Sequence, residues 1–276
     1  PCVIKPLVLA ASRGVIRADD DAAFAAAYAR VGRILEDPEV AACGAPAREV
    51  LVERFVPGHE VALEGLLLAG RLLRLALFDK PDPMDGPFFP ETIYVTPSRL
   101  PARVQSDIDA TVGRAAAALG LRDGPVHAEL RVNEAGPFIL EVAGRSIGGH
   151  CSRALRFESG YTLEELILLQ ALGRELAPPV REQRPSGVLM LNPPSAGRLE
   201  AIEGLAEARE VPGVTEVSIT AHAGQTLVPL PEGAQYLGFV FARGETPEAV
   251  EAALREAGRR IRFVIEPAGA APGVSA

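Results

Sequence analysis

Cysteine is scarce in this 276-residue chain: Cys2, Cys43 and Cys151 are odd in number and far apart. Such a set supports neither a disulfide framework nor a zinc knuckle. Unbroken apolar runs are missing too. The longest apolar region, Val61–Phe78, is interrupted by Glu64, Arg71 and Arg74, which excludes a membrane-spanning segment there. Clustered positive charge is also lacking. At a net charge of −8 with both signs interspersed, the chain has no basic face of the kind a nucleic-acid binder presents. Arg259-Arg260 stands near Glu251 and Glu256 and reads as a solvated helix face. Neither a secretory leader nor an internal repeat is visible, and the start on Pro1-Cys2 without an initiator Met points to an N-terminally truncated chain. The 48% hydrophobic content suffices for one large domain or two small ones with proper cores. What remains is a cytoplasmic protein with small-molecule partners and no nucleic-acid or membrane partner.

Periodicity and punctuation predict an α+β chain. Cys2–Lys5 and Val15–Ala18 read as strands around a loop. Asp19-Asp20-Asp21 then opens a helix, with acids at its positive end, that stops near Pro38. Glu49–Val56 is a strand, and His59–Leu68 with Arg71–Phe78 forms a hairpin about Ala69-Gly70. Asp79–Pro90 is a proline-rich loop, Glu91–Thr96 a strand and Pro101–Leu119 an amphipathic helix. Tyr161–Leu172 is a helix capped by Thr162. Ala177–Pro185 reads as a linker. Beyond it come strands near Val188–Leu191, Val214–Ile219 and Tyr236–Phe241, a helix near Leu199–Ala208, and a last helix from Pro247 to Arg259 capped by Thr246.

The densest chemistry lies in His127–Arg145. Asn133-Glu134-Ala135-Gly136 is a turn between two apolar or alternating runs, so the segment reads as a hairpin. That fold brings Glu129 close to opposite Glu141, with Leu130, Val132, Leu140 and Val142 on the other face. Like charges facing each other destabilise a strand pair, so the arrangement calls for a cation between them. Two carboxylates suit a hard, oxygen-bound ion such as Mg²⁺, with Mn²⁺ as the substitute. Arg145 could reach a phosphate held by that ion. The competing reading is a solvated hairpin edge.

Lysine is nearly absent: Lys5 and Lys80 are two of 28 basic residues, the rest arginine. A position that keeps lysine where arginine is tolerated nearly everywhere can require a compact point charge, as phosphate ligands do. Lys5 ends a strand just before Ser12-Arg13-Gly14, and Lys80 opens the proline-rich loop.

In this order, these pieces resemble the ATP-grasp superfamily, in its L-amino acid ligase-like, carboxylate–amine ligase branch. The motifs are Val3-Ile-Lys5-Pro6, Val52-Glu53-Arg-Phe-Val56-Pro-Gly-His-Glu60, and Glu141-Val-Ala-Gly-Arg145-Ser-Ile-Gly-Gly149-His150. The resemblance implies an ATP-grasp fold, two α+β lobes clamping ATP, over residues 1–176. A small C-terminal α+β domain would follow over 186–266, and residues 267–276 read as a disordered tail.

By position, the resemblance makes Lys5 a phosphate ligand and Glu53–Val56, with Phe55, the hinge strand whose backbone binds adenine. Glu60 becomes the ribose acid, and Glu129 and Glu141 the Mg²⁺ carboxylates. Arg145 becomes the catalytic cation facing the γ-phosphate, with Lys80 a second phosphate-side lysine. The loop Pro81–Glu91, and Gly148, Gly149 and His150, would border the acceptor pocket, with Glu91 near an amine. His59 and His150 are candidate proton carriers.

Two positions depart from the pattern. Ala143 stands where many relatives carry a metal-binding Asn, and the usual glycine-rich flap is reduced to Ala10-Ala11-Ser12-Arg13-Gly14, where Arg13 could replace backbone amides on a phosphate. The implied activity is Mg·ATP-dependent amide formation through an acyl phosphate. The alternatives are a biotin-carboxylase-like enzyme that activates bicarbonate and a non-catalytic nucleotide-binding regulator. A homodimer stays open.

Overall fold

The computed structural model describes residues 1–174 and 177–267. The first lobe contains strands β1 (Cys2–Pro6) and β2 (Ile16–Ala18), helices α1 (Asp21–Leu35) and α2 (Pro38–Ala41), and strand β3 (Val50–Arg54). The strands form an antiparallel sheet in the order β2-β1-β3, with Lys5 paired to Leu51. Helix α1 starts where the Asp20 carboxylate accepts the Ala23 amide at 2.8 Å. It lays Ala27 and Val31 on Ile4 and Ile16.

The second lobe starts with β4 (His59–Leu68), β5 (Arg71–Lys80), β6 (Ile93–Thr96), α3 (Ala102–Ala118), β7 (Gly124–Asn133), β8 (Gly136–Ala143) and α4 (Leu163–Ala171). It continues through β9 (Ser186–Leu191), β10 (Gly197–Glu203), α5 (Leu205–Arg209), β11 (Val214–Ile219), β12 (Thr226–Leu227), β13 (Gly238–Arg243), α6 (Pro247–Arg260) and β14 (Arg262–Glu266). Eight strands make one antiparallel sheet, ordered β11-β13-β9-β6-β5-β4-β7-β8. Its strand β4 is nearly continuously apolar because both faces are covered. Val61 and Leu63 face α3 through Ile108 and Val112, while Ala62 and Leu66 face α4 through Leu163 and Leu166. Thr162 and Glu165 cap α4 reciprocally.

Three expectations change. The segment expected as a helix near Leu199–Ala208 is strand β10 followed by the short α5. Gly204, at φ +77°, separates them, and a Cβ there would lie 1.8 Å from the Arg260 carbonyl oxygen. Strands β12 and β14, unmarked in the sequence, pair with β10 in a further three-stranded sheet. Strand β5 runs on through Asp79 and Lys80, so the proline-rich loop begins later than its composition suggests. Strand β9 pairs with β6 from Ile93↔Leu189 to Thr96↔Ser186, so strands on both sides of residues 177–185 share the large sheet. The tail expected to be disordered over 267–276 lies, beyond Pro267, outside the described residues.

Candidate active site

The cleft lies between the two lobes, and strand register places its acids. Glu129 pairs with Glu141 across β7 and β8. The register slips immediately afterwards, Leu130 pairing with Ile139, so Leu140 is an extra residue in a β-bulge. Leu140 was expected on the face opposite Glu141. Instead both line the cleft, while Ile139 and Val142 pack into the core beneath. Lys5 Nζ lies 2.5 Å from Glu53 Oε2 within the first lobe and reaches across to 3.5 Å from the Leu140 carbonyl oxygen. Glu129 and Glu141 also line an adjoining chamber of about 590 Å³, together with Arg145, Gly148 and Gly149. Arg145 is half exposed, its guanidinium 3.4 Å from Glu141 Oε1. In the flap, Ala11 and Ser12 hold φ values of +52° and +59°. Left-handed backbone on side-chain-bearing residues is strained and clusters at functional loops.

Behind the cleft lies a buried charge cluster drawn from four neighbouring strands or their ends. Lys80, at the end of β5, contacts Glu60 on β4, and its Nζ is 3.0 Å from Glu91 Oε1 and 3.8 Å from Glu129 Oε2. Glu60 Oε2 also accepts Arg131 Nε at 3.0 Å. Three carboxylates converge here as they would on a metal ion, but the cation at their centre is the lysine ammonium. Burial would lower the Lys80 pKa, yet Glu129, Glu91 and Glu60 carry it well above its ordinary value. Burial would raise the Glu129 carboxyl, but Lys80 and His127 hold it down to about 2. Glu91 goes the other way, pushed up to about 7 by burial against the pull of Lys80. Its Oε2 accepts the Tyr94 hydroxyl at 2.5 Å.

His127 stands between two acids, with Nε2 3.5 Å from Glu129 Oε1 and Nδ1 3.4 Å from Glu64 Oε2. Burial opposes its charge, but the two acids raise its pKa to about 9. Glu64 in turn accepts the Ile147 amide at 3.0 Å. Glu129 is thereby tied, through His127 and Glu64, to the loop that carries Arg145.

The structure brings Lys5, Glu53, Phe55, Val56, Glu129, Glu141 and Ser12 to one wall of the cleft, and Arg145, Gly148 and Gly149 to the adjoining chamber. It moves four other residues. Lys80 lines neither chamber: its side chain is 3% exposed and neutralises acids instead of facing a phosphate. Glu60 reaches the cleft wall, but its two oxygens are engaged by Lys80 and Arg131 rather than free for a ribose. Arg13 turns its guanidinium to Asp37 at 2.8 Å and to the Glu232 carbonyl oxygen at 2.7 Å, away from a phosphate. His150 is exposed and packs edge-on against Phe239, with ring centroids 4.8 Å apart.

Sequence reasoning missed Arg131, buried under Phe55 and Phe89, and Tyr94. For Tyr94 the available signal was a hydroxyl inside the apolar run Ile93-Tyr94-Val95, whereas Arg131 sits on the polar phase of an alternating strand and carried none. The donor set fits Mg²⁺ carrying a triphosphate: Glu141 is open to the cleft, Glu129 is held ionised, and Lys5 and Arg145 line the two adjoining chambers that these acids share.

A model of the ATP-grasp domain matches residues 1–154, and a model of the L-amino acid ligase C-terminal domain 2 matches residues 189–266. The chain is 36% identical over 137 residues to carnosine synthase 1 of Gallus gallus, covering 50% of this chain and 14% of that protein. It is 25% identical over 181 residues to alanine–anticapsin ligase of Bacillus subtilis, covering 61% and 38%. The crystal structure of L-amino acid ligase from Bacillus licheniformis superposes with a TM-score of 0.81 at 27% identity, covering 96% of this chain and 64% of that one. The chain thus spans 14% to 64% of the length of these relatives. With the ATP-grasp domain alone accounting for more than half of its residues, and the ligase-specific C-terminal domain following it, the chain belongs to the ATP-grasp family, in its L-amino acid ligase branch.

Proposed function

We propose that this chain supplies the ATP-binding and catalytic part of a ligase that joins an amino-acid carboxylate to an amine. The observation that carries the reading is the Glu129–Glu141 pair, in register on one cleft with Lys5 and Arg145. A carboxylate is a poor electrophile because its leaving group would be oxide. Attack of its oxygen on the γ-phosphorus of ATP expels ADP and gives an acyl phosphate. The amine nitrogen then attacks the acyl carbon, phosphate leaves, and the nitrogen gives up a proton. Such transfers need charge neutralisation and positioning above all.

In this reading Lys5 holds nucleotide phosphates, the backbone near Phe55 and Val56 receives adenine, and Glu53 fixes Lys5. Glu129 and Glu141 hold the magnesium ion, which when bound neutralises phosphate charge. Arg145 faces the transferring phosphoryl group. Ala143 offers no oxygen where relatives carry Asn, so the two acids carry the protein's share of the ligation. Glu91, Gly148 and Gly149 border the amine. The amide-forming reading is preferred over bicarbonate activation because the C-terminal residues match the L-amino acid ligase domain. Residues 1–176 and 186–266 serve as its two domains. No helix among the described residues is long and apolar enough to cross a membrane. Three free cysteines suit a reducing, cytoplasmic setting.

The test is phosphate release from ATP over a panel of amino acids, supplied singly and in pairs. Release that requires one carboxylate and one amine together supports the ligase. Release driven by bicarbonate, or nucleotide binding without turnover under any pair, overturns it.

A further inference from the structure

Between Val61 and Leu67 strand β4 carries one charged residue, Glu64, and its side chain is fully buried. In the sequence it only interrupts an apolar region, and no motif above gives it a role. A carboxylate there gives up its water, and a buried ion pair is often no more stabilising than apolar residues of similar volume. Its Oε1 has no hydrogen-bond partner among the described residues, which adds to the cost of keeping an acid at this position. Stability alone does not call for Glu64. Its other oxygen shows what does.

The pairing of β4 with β7 sets Glu64 opposite His127 and Ala62 opposite Glu129, so Glu64, His127 and Glu129 share one face of the sheet. His127 lies 3.4 Å from Glu64 Oε2 through Nδ1 and 3.5 Å from Glu129 Oε1 through Nε2. The same Glu64 Oε2 accepts the Ile147 amide at 3.0 Å. Among the described residues, that is the one hydrogen bond from a backbone amide of residues 145–148 to another element. The Ile147 side chain is buried in one cluster with Leu66, Cys151 and Met190. Arg145, two residues earlier, makes local hydrogen bonds, to the Ser146 carbonyl oxygen at 2.9 Å and to Glu141 at 3.4 Å. The polar anchor of its loop is therefore the Glu64 carboxylate.

We propose that Glu64 is a positioning residue. One of its oxygens orients the Glu129 carboxylate through His127 and places Arg145 through the Ile147 amide, so the metal-holding acid and the phosphoryl-facing cation are set together from one buried strand. The effects of Glu64 on metal affinity and turnover rest on the amino-acid ligase reading, whereas its hold on the loop does not. A group that orients a metal ligand is worth about 10–100-fold in affinity. A displacement of roughly 1 Å in a group that must meet the reacting atoms costs on the order of 10²-fold in rate.

Two variants separate the arms. Glu64→Met keeps the volume and removes both oxygens; Glu64→Gln keeps an acceptor for the Ile147 amide but presents no charge to His127. Three readouts apply: hydrogen exchange of the Ile147 amide in the metal-free chain, Mn²⁺ affinity by paramagnetic resonance, and phosphate release from ATP. In Glu64→Met the Ile147 amide loses protection, Mn²⁺ binds about 10-fold or more weakly, and kcat falls on the order of 10²-fold with the KM for ATP little changed. In Glu64→Gln the amide stays protected, kcat recovers in part, and Mn²⁺ binding remains weakened. Unchanged Ile147 exchange or unchanged Mn²⁺ affinity in Glu64→Met overturns the role, as does a fall in kcat that Glu64→Gln does not relieve. Should Glu64→Met not fold, Glu64→Gln decides: a protected amide with weakened Mn²⁺ binding supports the role, and unchanged Mn²⁺ affinity overturns it. A wild-type chain that releases no phosphate under any pair, while the exchange and Mn²⁺ readouts respond as stated, keeps the role of Glu64 and removes the ligase reading. Phosphate release that both variants leave intact does the reverse.

Discussion

Replacing Lys80 by methionine keeps the length and apolar stem of the side chain but removes the one ammonium among Glu60, Glu91 and Glu129. Arg131 still reaches Glu60, while Glu91 and Glu129 lose their shared cation in a site where the lysine was 3% exposed. Breaking a buried pair from one side costs about 3–5 kcal/mol because it strands the opposite charge. At about 2–4 °C per kcal/mol for a chain of this size, the melting temperature falls by roughly 6–20 °C.

The loss depends on pH, and its direction follows from the acids. In the wild type Glu129 is held at about 2, so its contribution is present above its ordinary pKa and fades only as pH falls toward that value. Without Lys80 the burial that already lifts Glu91 to about 7 acts on Glu129 unopposed by the ammonium, and both carboxyls rise. Groups with raised folded pKa values stabilise below their unfolded pKa and lose that stability as pH climbs through the folded one. The Lys80→Met deficit is therefore largest near pH 8 and shrinks toward pH 5. Thermal unfolding followed by circular dichroism at both pH values reads this directly. Adding Glu91→Gln to the variant recovers part of the loss, because one stranded charge is gone. A deficit of only a degree or two, or an equal one at both pH values, refutes the claim that Lys80 is the cation around which these acids are built.

The remaining expectations concern the cleft. Arg145→Met lowers kcat on the order of 10²–10³-fold, as loss of a preorganised charge donor does, with little change in the KM for ATP. Its exposed position leaves thermal stability intact. Glu141→Gln and Glu129→Gln both raise the Mg²⁺ concentration needed for turnover; Glu141→Gln, at an exposed side chain, leaves stability unchanged, whereas Glu129→Gln also lowers it. His127→Gln weakens Mn²⁺ binding, read by paramagnetic resonance, by about 10–100-fold, the usual cost of losing a group that orients a metal ligand. Gly149→Ala destabilises by about 1–2 kcal/mol through its left-handed backbone. The added methyl also lies 3.0 Å from Met190 Sδ at a φ of +61°, so chemical denaturation should show a loss while Gly148→Ala, with open space around it, shows little.

Local signals were legible and assembled ones were not. A turn at Asn133–Gly136 between two apolar or alternating runs brings Glu129 close to Glu141, but pairing counted from that turn would set Glu129 against Leu140, and the bulge supplies the observed Glu129–Glu141 register. The bulge at Leu140 leaves no mark, because a one-residue slip changes no composition. Lysine scarcity drew attention to Lys5 and Lys80 for one reason, a need for a point charge. Only the pairing of β4 with β5 and β7, and the approach of Glu91 at the entry to β6, shows that Lys80 answers to acids rather than to phosphate. Leu199, Ile202 and Leu205 are spaced by three, a helical period, but a bulge between Leu199 and Ala201 lets Leu199 and Ile202 pack into one cluster from strand β10, which ends at Gly204.

The same long-range logic explains why the C-terminal residues belong to the site rather than trail behind it. Strand β6 has one paired position with β5, Asp79↔Val95, but four with β9, from Ile93↔Leu189 to Thr96↔Ser186. Its placement, and with it that of Glu91 just before it and Tyr94 within it, is therefore set largely from the C-terminal side. Asn192, one residue past β9, fixes the Glu91 carbonyl oxygen directly, and Tyr236 closes the chamber that holds Glu129 and Arg145. Ile93 and Val95 are buried in the same apolar cluster as Leu199, Leu237 and Leu254. The burial that lifts the Glu91 carboxyl and fixes its contact with Lys80 thus depends on strands from both family-matched segments, and neither segment alone encloses that carboxylate.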